Sequence, residues 1–300
     1  MILTVILPCY NAADTLAVQL EALSRQTLRD GWDLLFVDNG STDRSLAILE
    51  EFRPRLPPVT VLQAYDPSRG RKGVAFSYAL AFQAASGDAL VLCEADDEVA
   101  DDYVEQMAGA LGRHELVAGA LDYARLNPPD IVGREPRYQT REHGLFTRSG
   151  PLFLPFAMGC AFGLRRSVWE RIGLPADEIG PAWDTEYCWR AQQAGIELSF
   201  VPEAVVHYRL RVTWRSRYRQ AESWSRGHVR LHLRYGCFDP AAFASTAPRR
   251  LRRTFMKLAG VPLGHRSFRN WVWDLGWAMG WRSEAAAAMR ALREERGRHG

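Results

Sequence analysis

Gly87-Asp-Ala-Leu-Val-Leu-Cys-Glu-Ala-Asp-Asp97 joins an apolar run to a knot of acid. Ala89 to Cys93 is continuous, short and bounded by glycine, which reads as a buried strand. Glu94, Asp96 and Asp97 follow within four residues. Carboxylates this close repel one another, so a cation or hydrogen-bond donors must offset the charge if they are packed. Oxygen ligands of this kind suit Mg²⁺ or Mn²⁺. They also suit a solvated helix start, because acids favour helix N-termini and Asp101-Asp102 lie just beyond.

Working outward, Thr4-Val-Ile-Leu7, Leu34-Leu-Phe-Val37 and Val59-Thr-Val-Leu62 read as further strands. Helical spacing of Leu16, Leu20 and Leu23, then of Leu46, Ile48 and Leu49, places helices between them, and an Ala-rich helix covers 74–85. Strands alternating with helices imply right-handed crossovers and a mainly parallel sheet with helices on both faces. Past the acids, helices are predicted over 102–111, 166–172 and 184–193, and strands over 116–120, 198–201 and 204–207. Residues 153–164 read as extended and 127–150 as loops or edge pieces. Beyond Arg211 the pattern is helical and arginine-rich.

The 300-residue chain is 47% hydrophobic and 24% charged, ordinary for a globular protein. Its net charge of +3 hides an asymmetry: residues 205–300 carry +14 and the remainder −11. Five scattered cysteines without a C-x-x-C pair argue against a disulfide framework or structural zinc, and for a reducing compartment. A strand begins almost at Met1, with no signal peptide before it, and no apolar run reaches the ~18–20 residues that span a bilayer. The expectation is a cytoplasmic protein, with attachment to the inner face of a membrane as the alternative that the C-terminal segment leaves open.

In an open α/β sheet, ligands sit beyond the carboxyl ends of the strands. Asn11, Asp38 and the Glu94–Asp97 acids all fall there, so they are expected to share one crevice. The first strand–helix turn lacks G-x-G-x-x-G, and no G-x-x-x-x-G-K-[ST] is present, which removes the main support for hydride transfer and P-loop hydrolysis. The basic loop Ser68-Arg-Gly-Arg-Lys-Gly73 offers Arg69, Arg71 and Lys72 to an anion. Asp38 could equally brace its own turn, and Asp184 could cap its own helix.

The runs Val5-Ile-Leu-Pro-Cys-Tyr-Asn-Ala12, Leu20-Glu-Ala-Leu-Ser-Arg-Gln-Thr27, Val37-Asp-Asn-Gly-Ser-Thr-Asp43 and Gly87 to Asp97 together resemble glycosyltransferase family 2, of GT-A fold. The likeness continues through Gly163-Leu-Arg-Arg-Ser167, Trp183-Asp-Thr-Glu186, Trp189-Arg190 and Val201-Pro-Glu-Ala-Val-Val-His-Tyr208, covering about residues 1–212. The resemblance implies an inverting glycosyltransferase with a nucleotide-sugar donor. It implies a donor-binding half at 1–98 and an acceptor-binding half at 99–212; the charge and Trp spacing add a basic, Trp-rich helical extension at 213–300. Asp184 would be the general base. Asn11, Asp38, Arg69, Arg71, Lys72, Glu94 and Asp96 would hold the donor, and Asp96, Asp97 and His207 a Mg²⁺ or Mn²⁺ ion. His207 reads equally as a structural hydrogen-bonding histidine. The acceptor would be a glycan, a lipid-linked molecule or a small molecule.

Three positions depart from the family pattern. Glu94 replaces the first acid of D-x-D. The A-R-N-x-G run reads Ser77-Tyr78-Ala79-Leu80-Ala81. Trp183 replaces the acid before the base, which predicts an aromatic wall beside the acceptor. These departures motivate a second reading, a catalytically weakened binding or scaffold protein that keeps the fold. A nucleotidyltransferase is a third.

In the extension, Trp273, Trp277 and Trp281 recur every four residues. They form one helical stripe that either docks on the catalytic domain or a partner subunit, or lies at an anionic membrane surface. No recognised nucleic-acid module is visible, so nucleic acid is not an expected partner.

Overall fold

The computed structural model describes residues 1–68, 70–132, 138–146, 154–239, 252–260 and 268–299. They form two compact units. One comprises residues 1–132, 136–177 and 183–210 and contains the sheet; the other comprises 133–135, 178–182 and 211–300 and is helical.

The sheet has eight strands: β1 (Leu3–Cys9), β2 (Trp32–Asp38), β3 (Val59–Gln63), β4 (Ala89–Leu92), β5 (Glu98–Val99), β6 (Leu116–Asp122), β7 (Phe162–Arg165) and β8 (Leu198–His207), in the order β3-β2-β1-β4-β7-β6-β8-β5. The first four are parallel, as their alternation with helices requires. β7 runs antiparallel to both β4 and β6, so the whole is mixed.

Side chains alternate between two cores. Leu3, Val5 and Leu7 face one with Leu34 and Phe36, under α1 (Leu16–Ser24) and α4 (Tyr103–Leu111). Ile6, Leu35 and Val37 face the other, under α3 (Val74–Ala84) and α7 (Trp183–Gln193). Period-two burial on both faces is why these strands read as unbroken apolar runs. Helices α2 (Ser45–Phe52), α5 (Pro129–Val132) and α6 (Arg166–Ile172) complete this unit.

Three local expectations change. The two short strands predicted over 198–207 are one strand, β8, with a bulge: Gly119 pairs with Val201 but Ala120 with Val205. Pro202, inside the bulge, has no N–H to lose from the ladder. Gly119 is required opposite it, since a Cβ there would lie 2.5 Å from the Ala204 carbonyl oxygen. In 153–164, residue 153 lies outside the described residues, and a 3₁₀ turn, Gly159–Ala161, interrupts the extended run before β7. The acid-bearing loop ends in a two-residue strand, β5, antiparallel to β8.

The helical unit is built on α8 (Trp214–Arg234) and α9 (Phe268–His299). The tryptophan stripe of α9 packs onto α8: Trp273 meets Trp224 at 5.5 Å, Trp277 meets His228 at 5.2 Å and Trp281 meets His232 at 5.2 Å between ring centroids. The stripe therefore faces protein within the extension itself. Gly276 and Gly280, one turn apart, let the backbones touch. A Cβ at Gly276 would meet the Tyr218 carbonyl at 2.5 Å, and one at Gly280 would collide with the Glu222 carbonyl and Ser225 Oγ. The Arg230–Glu284 ion pair at 2.8 Å ties the same two helices. Gly280→Leu should lower the melting temperature by roughly 5–10 °C, because backbone cannot move aside for the new side chain; differential scanning calorimetry checks this.

Candidate active site

The acid loop after β4 is pinned from several sides. From α1, buried Gln19 donates Nε2–H to the Glu94 carbonyl at 3.1 Å and accepts the Val99 N–H at 2.9 Å. Thr15 Oγ1 donates to the Ala95 carbonyl at 3.0 Å, and the Tyr103 hydroxyl to that of Leu92 at 2.9 Å. Beyond β8, the Arg209 N–H donates to Asp97 Oδ1 at 2.8 Å and its Nε–H to the Asp96 carbonyl at 2.7 Å. So held, ligand atoms of Glu94, Asp96 and Asp97 lie within 4.8 Å of one another.

Asp97 is 1% exposed, and its Oδ2 has no hydrogen-bond partner. Burial, reinforced by the Asp96 and Glu94 charges, pushes its carboxyl well above the usual range. A buried carboxylate with one orphaned oxygen beside two more acids is strongly disfavoured without a counter-charge.

The 3₁₀ turn at Gly159–Ala161 links this loop to α7. Cys160 lies beside Asp97 and works to lower that carboxyl, while the Gly159 N–H donates to Asp184 Oδ2 at 3.0 Å. Thr185 N–H donates to Asp184 Oδ1 at 2.7 Å. Burial raises the Cys160 thiol, and so do the charges of Asp97, Glu94, Asp96 and Asp184. The charges of four carboxylates from two elements thus act on one buried thiol. Burial lifts the Asp184 carboxyl to about 6, against the pull of the Thr185 and Gly159 N–H groups.

Asp38 and Asn11 occupy the neighbouring strand ends. Asp38, buried, accepts the Ser41 N–H at 3.1 Å. Asn11 holds a left-handed backbone (φ 47°), and its Oδ1 accepts the Thr42 N–H at 2.8 Å. Further bonds from the Ala12 and Ala13 N–H groups to Ser45 Oγ and Asp43 Oδ2 latch the loops after β1 and β2 together. Arg71 stacks on the Tyr10 ring, 3.9 Å from its centroid, and the Lys72 carbonyl accepts from Asn39 Nδ2 at 3.0 Å, so the basic loop lies against both. Arg69 lies outside the described residues. His207 Nδ1 meets Asp122 Oδ2 at 2.6 Å, and the acid cluster as found comprises Glu94, Asp96 and Asp97. Burial works against the Asp122 charge, but the Ala124 N–H and His207 outweigh it and hold this carboxyl below its usual range.

The aromatic wall expected at Trp183 is not there. Trp183 is 2% exposed, its ring centroid lies 4.6 Å from that of Tyr78 at a tilt of 35°, and a Cβ at Gly159 would lie 2.9 Å from it. Two of the three departures from the family pattern, Tyr78 and Trp183, therefore touch each other, and they replace polar groups with one aromatic pair. Trp183→Ala should cost about 3–5 kcal/mol. It should also move the Asp184 carboxyl down toward the ordinary range as water reaches Gly159; thermal denaturation and NMR titration of the carboxyl check the two effects.

Sequence reasoning missed Gln19, Arg209 and the Gly159-Cys160 turn. Gln19 and Arg209 act largely through backbone partners that no motif marks. The turn does its work through an N–H and a small thiol.

Comparison with known proteins bears on the family and the fold. The profile of glycosyl transferase family 2 matches residues 4–173, more than half of the chain. The chain belongs to that family. A second profile, glycosyl transferase family group 2, matches residues 90–287. Among curated relatives of this family 2 chain, the probable glycosyltransferase YdaM of Bacillus subtilis is 26% identical over 77% of the chain and 56% of its own length. A PGL/p-HBAD biosynthesis glycosyltransferase of Mycobacterium tuberculosis is 30% identical over 57% of the chain and 61% of its own length. The chain thus matches under two thirds of these relatives' length. The mannosyltransferase PcManGT of Pyrobaculum calidifontis, solved with GDP-Man and Mn²⁺, aligns over 95% of the chain and 86% of its own at a TM-score of 0.63 and 20% identity. S. aureus TarS 1–349 with UDP-GlcNAc aligns over 97% and 92% at 0.54 and 14%. These likenesses give the fold of the family 2 domain, GT-A.

Proposed function

We propose that the protein moves a sugar from a nucleotide diphosphate donor to an acceptor nucleophile with inversion. The observation that carries this reading is the packing of Glu94, Asp96 and Asp97 ligand atoms within 4.8 Å of one another, with the buried Asp97 Oδ2 left without a hydrogen-bond partner. Asp184 takes the acceptor proton as the new bond forms, a role for which a carboxyl at about 6 is well matched near neutral pH.

Hard oxygen donors and the orphaned Asp97 Oδ2 fit a divalent cation, Mg²⁺ or Mn²⁺, held by Asp96 and Asp97 with Glu94 alongside. Such an ion would neutralise charge on the departing diphosphate. Arg71 and Lys72 add positive charge from the basic loop, with Arg69 between Ser68 and Gly70 in sequence. Asn11 and Asp38 line the nucleoside end, and His207 keeps Nε2 for a ligand while Asp122 holds Nδ1. The Mn²⁺ in PcManGT and the nucleotide sugars in PcManGT and TarS support this class of donor. The acceptor in this reading is a glycan, a lipid-linked molecule or a small molecule. Five free cysteines suit a reducing, cytoplasmic compartment.

Incubating the protein with Mn²⁺ and a panel of UDP, GDP and TDP sugars tests the reading. Release of nucleoside diphosphate is expected with at least one donor. Nucleotide binding without turnover would favour the scaffold reading, and pyrophosphate release from a nucleoside triphosphate the nucleotidyltransferase.

A further inference from the structure

Once the tryptophan stripe is accounted for by α8, the large apolar side chains still facing solvent in the helical unit stand out. Val212, Trp214, Phe255 and Met256 are each more than half exposed, and Leu258 and Phe268 are exposed as well. Hydrogen bonds bring their segments to one end of the unit. Arg269, at the start of α9, donates to the carbonyls of Arg211 and Val212 at 2.9 and 2.6 Å. Trp271 Nε1–H donates to the Thr254 carbonyl at 3.0 Å, and Phe268 stacks on Trp271 at 5.7 Å. Arg217, in the first turn of α8, donates to the Arg269 carbonyl at 3.0 Å.

The same segments present cations to solvent. Arg211, Arg215, Arg252 and Arg253 are exposed, and the Arg215 guanidinium sits 5.1 Å from the Trp214 ring. Asp274, the acid near this end, is paired with Lys257 at 2.8 Å. Exposed apolar residues scattered singly are normal on any protein. Six of them gathered with four arginines are a different case, because apolar burial and attraction to anionic headgroups act together at a lipid interface. No helix among the described residues is long and apolar enough to cross a membrane, so the contact would be peripheral.

We infer that the end of the helical unit formed by residues 211–215, 252–258 and 268 is a docking surface for an anionic lipid bilayer. The charge selects the occupant: a protein partner would need a matching acidic surface, whereas phosphatidylglycerol supplies negative charge and an apolar boundary at once. Tryptophan and phenylalanine sink into the headgroup boundary, and arginine holds the phosphates. The inference does not depend on which donor the sheet unit binds.

Co-sedimentation with phosphatidylglycerol-containing vesicles, against pure phosphatidylcholine vesicles, tests it. The full chain should bind the anionic vesicles at low salt and lose that binding as salt rises. Replacing both Trp214 and Phe268 with Ser should weaken binding at least about tenfold. Arg252→Gln with Arg253→Gln should weaken it without touching the apolar residues, which keeps the proposal testable if the serine variant fails to fold. Trp214→Phe should retain binding. No sedimentation with anionic vesicles at low salt would overturn the proposal, as would binding unchanged in the Arg252/Arg253 variant. A concentration-dependent dimer, seen by light scattering and abolished by the same substitutions without vesicle binding, would assign the surface to a second copy instead.

Discussion

Asp184→Asn should lower turnover by roughly 10²–10⁴-fold while leaving the donor KM nearly unchanged. Removing the acceptor's proton is a transition-state event, and the amide oxygen keeps shape without basicity. The pH profile carries the sharper test. With burial holding the Asp184 carboxyl at about 6, the wild-type rate should climb about tenfold per pH unit below 6 and level off above it. That limb should vanish in the variant. The stability sign runs the other way: a carboxyl raised above its unfolded value contributes most when protonated, so folding weakens as pH rises from about 4 through about 6. Steady-state kinetics and melting curves across this range separate the two effects. A variant with full turnover would remove Asp184 from the chemistry.

Asp97→Asn should abolish divalent-dependent activity and stabilise the protein when no divalent ion is present. Burial and the Asp96 and Glu94 charges raise this carboxyl, so its ionised form costs folding free energy that a neutral amide does not. The amide oxygen can still accept the Arg209 N–H. In the wild type, Mn²⁺ at a hundred times its Kd should add about 2.7 kcal/mol of stability, read as several degrees in melting temperature. In the variant that increment should disappear, although its metal-free melting temperature is higher. An equal Mn²⁺ shift in both proteins would place the ion elsewhere.

How much of this could be read from residues alone follows from how each feature is encoded. β1, β2 and β4 were legible because both faces of these strands are buried, which writes itself as short continuous apolar runs between turn residues; β3, half-buried at the sheet edge, was legible from its β-branched run. The acid cluster was legible because three carboxylates in four residues are conspicuous. β5 was not, being two residues long and defined only by pairing with β8. Gln19 reads as one more polar residue on an amphipathic helix, yet it is buried and anchors the acid loop at both ends. The Gly159-Cys160 turn left no signal because it acts through a backbone N–H and a small thiol. Trp183 was misread as a wall since an aromatic next to a candidate base suggests a binding face. Its actual partner, Tyr78, lies about a hundred residues away in sequence.

The central claim is spatial: the acids after β4 and the carboxylate of α7 serve one nucleotide-sugar site. Crystals grown with UDP or GDP and Mn²⁺ would show it directly in the manganese anomalous difference map. The account expects a peak on the Asp96 and Asp97 carboxylates, the diphosphate bound to it, and the Asp184 carboxylate facing the same space. A peak lying away from those acids, or a nucleotide bound remote from the Gly159-Cys160 turn, would contradict it.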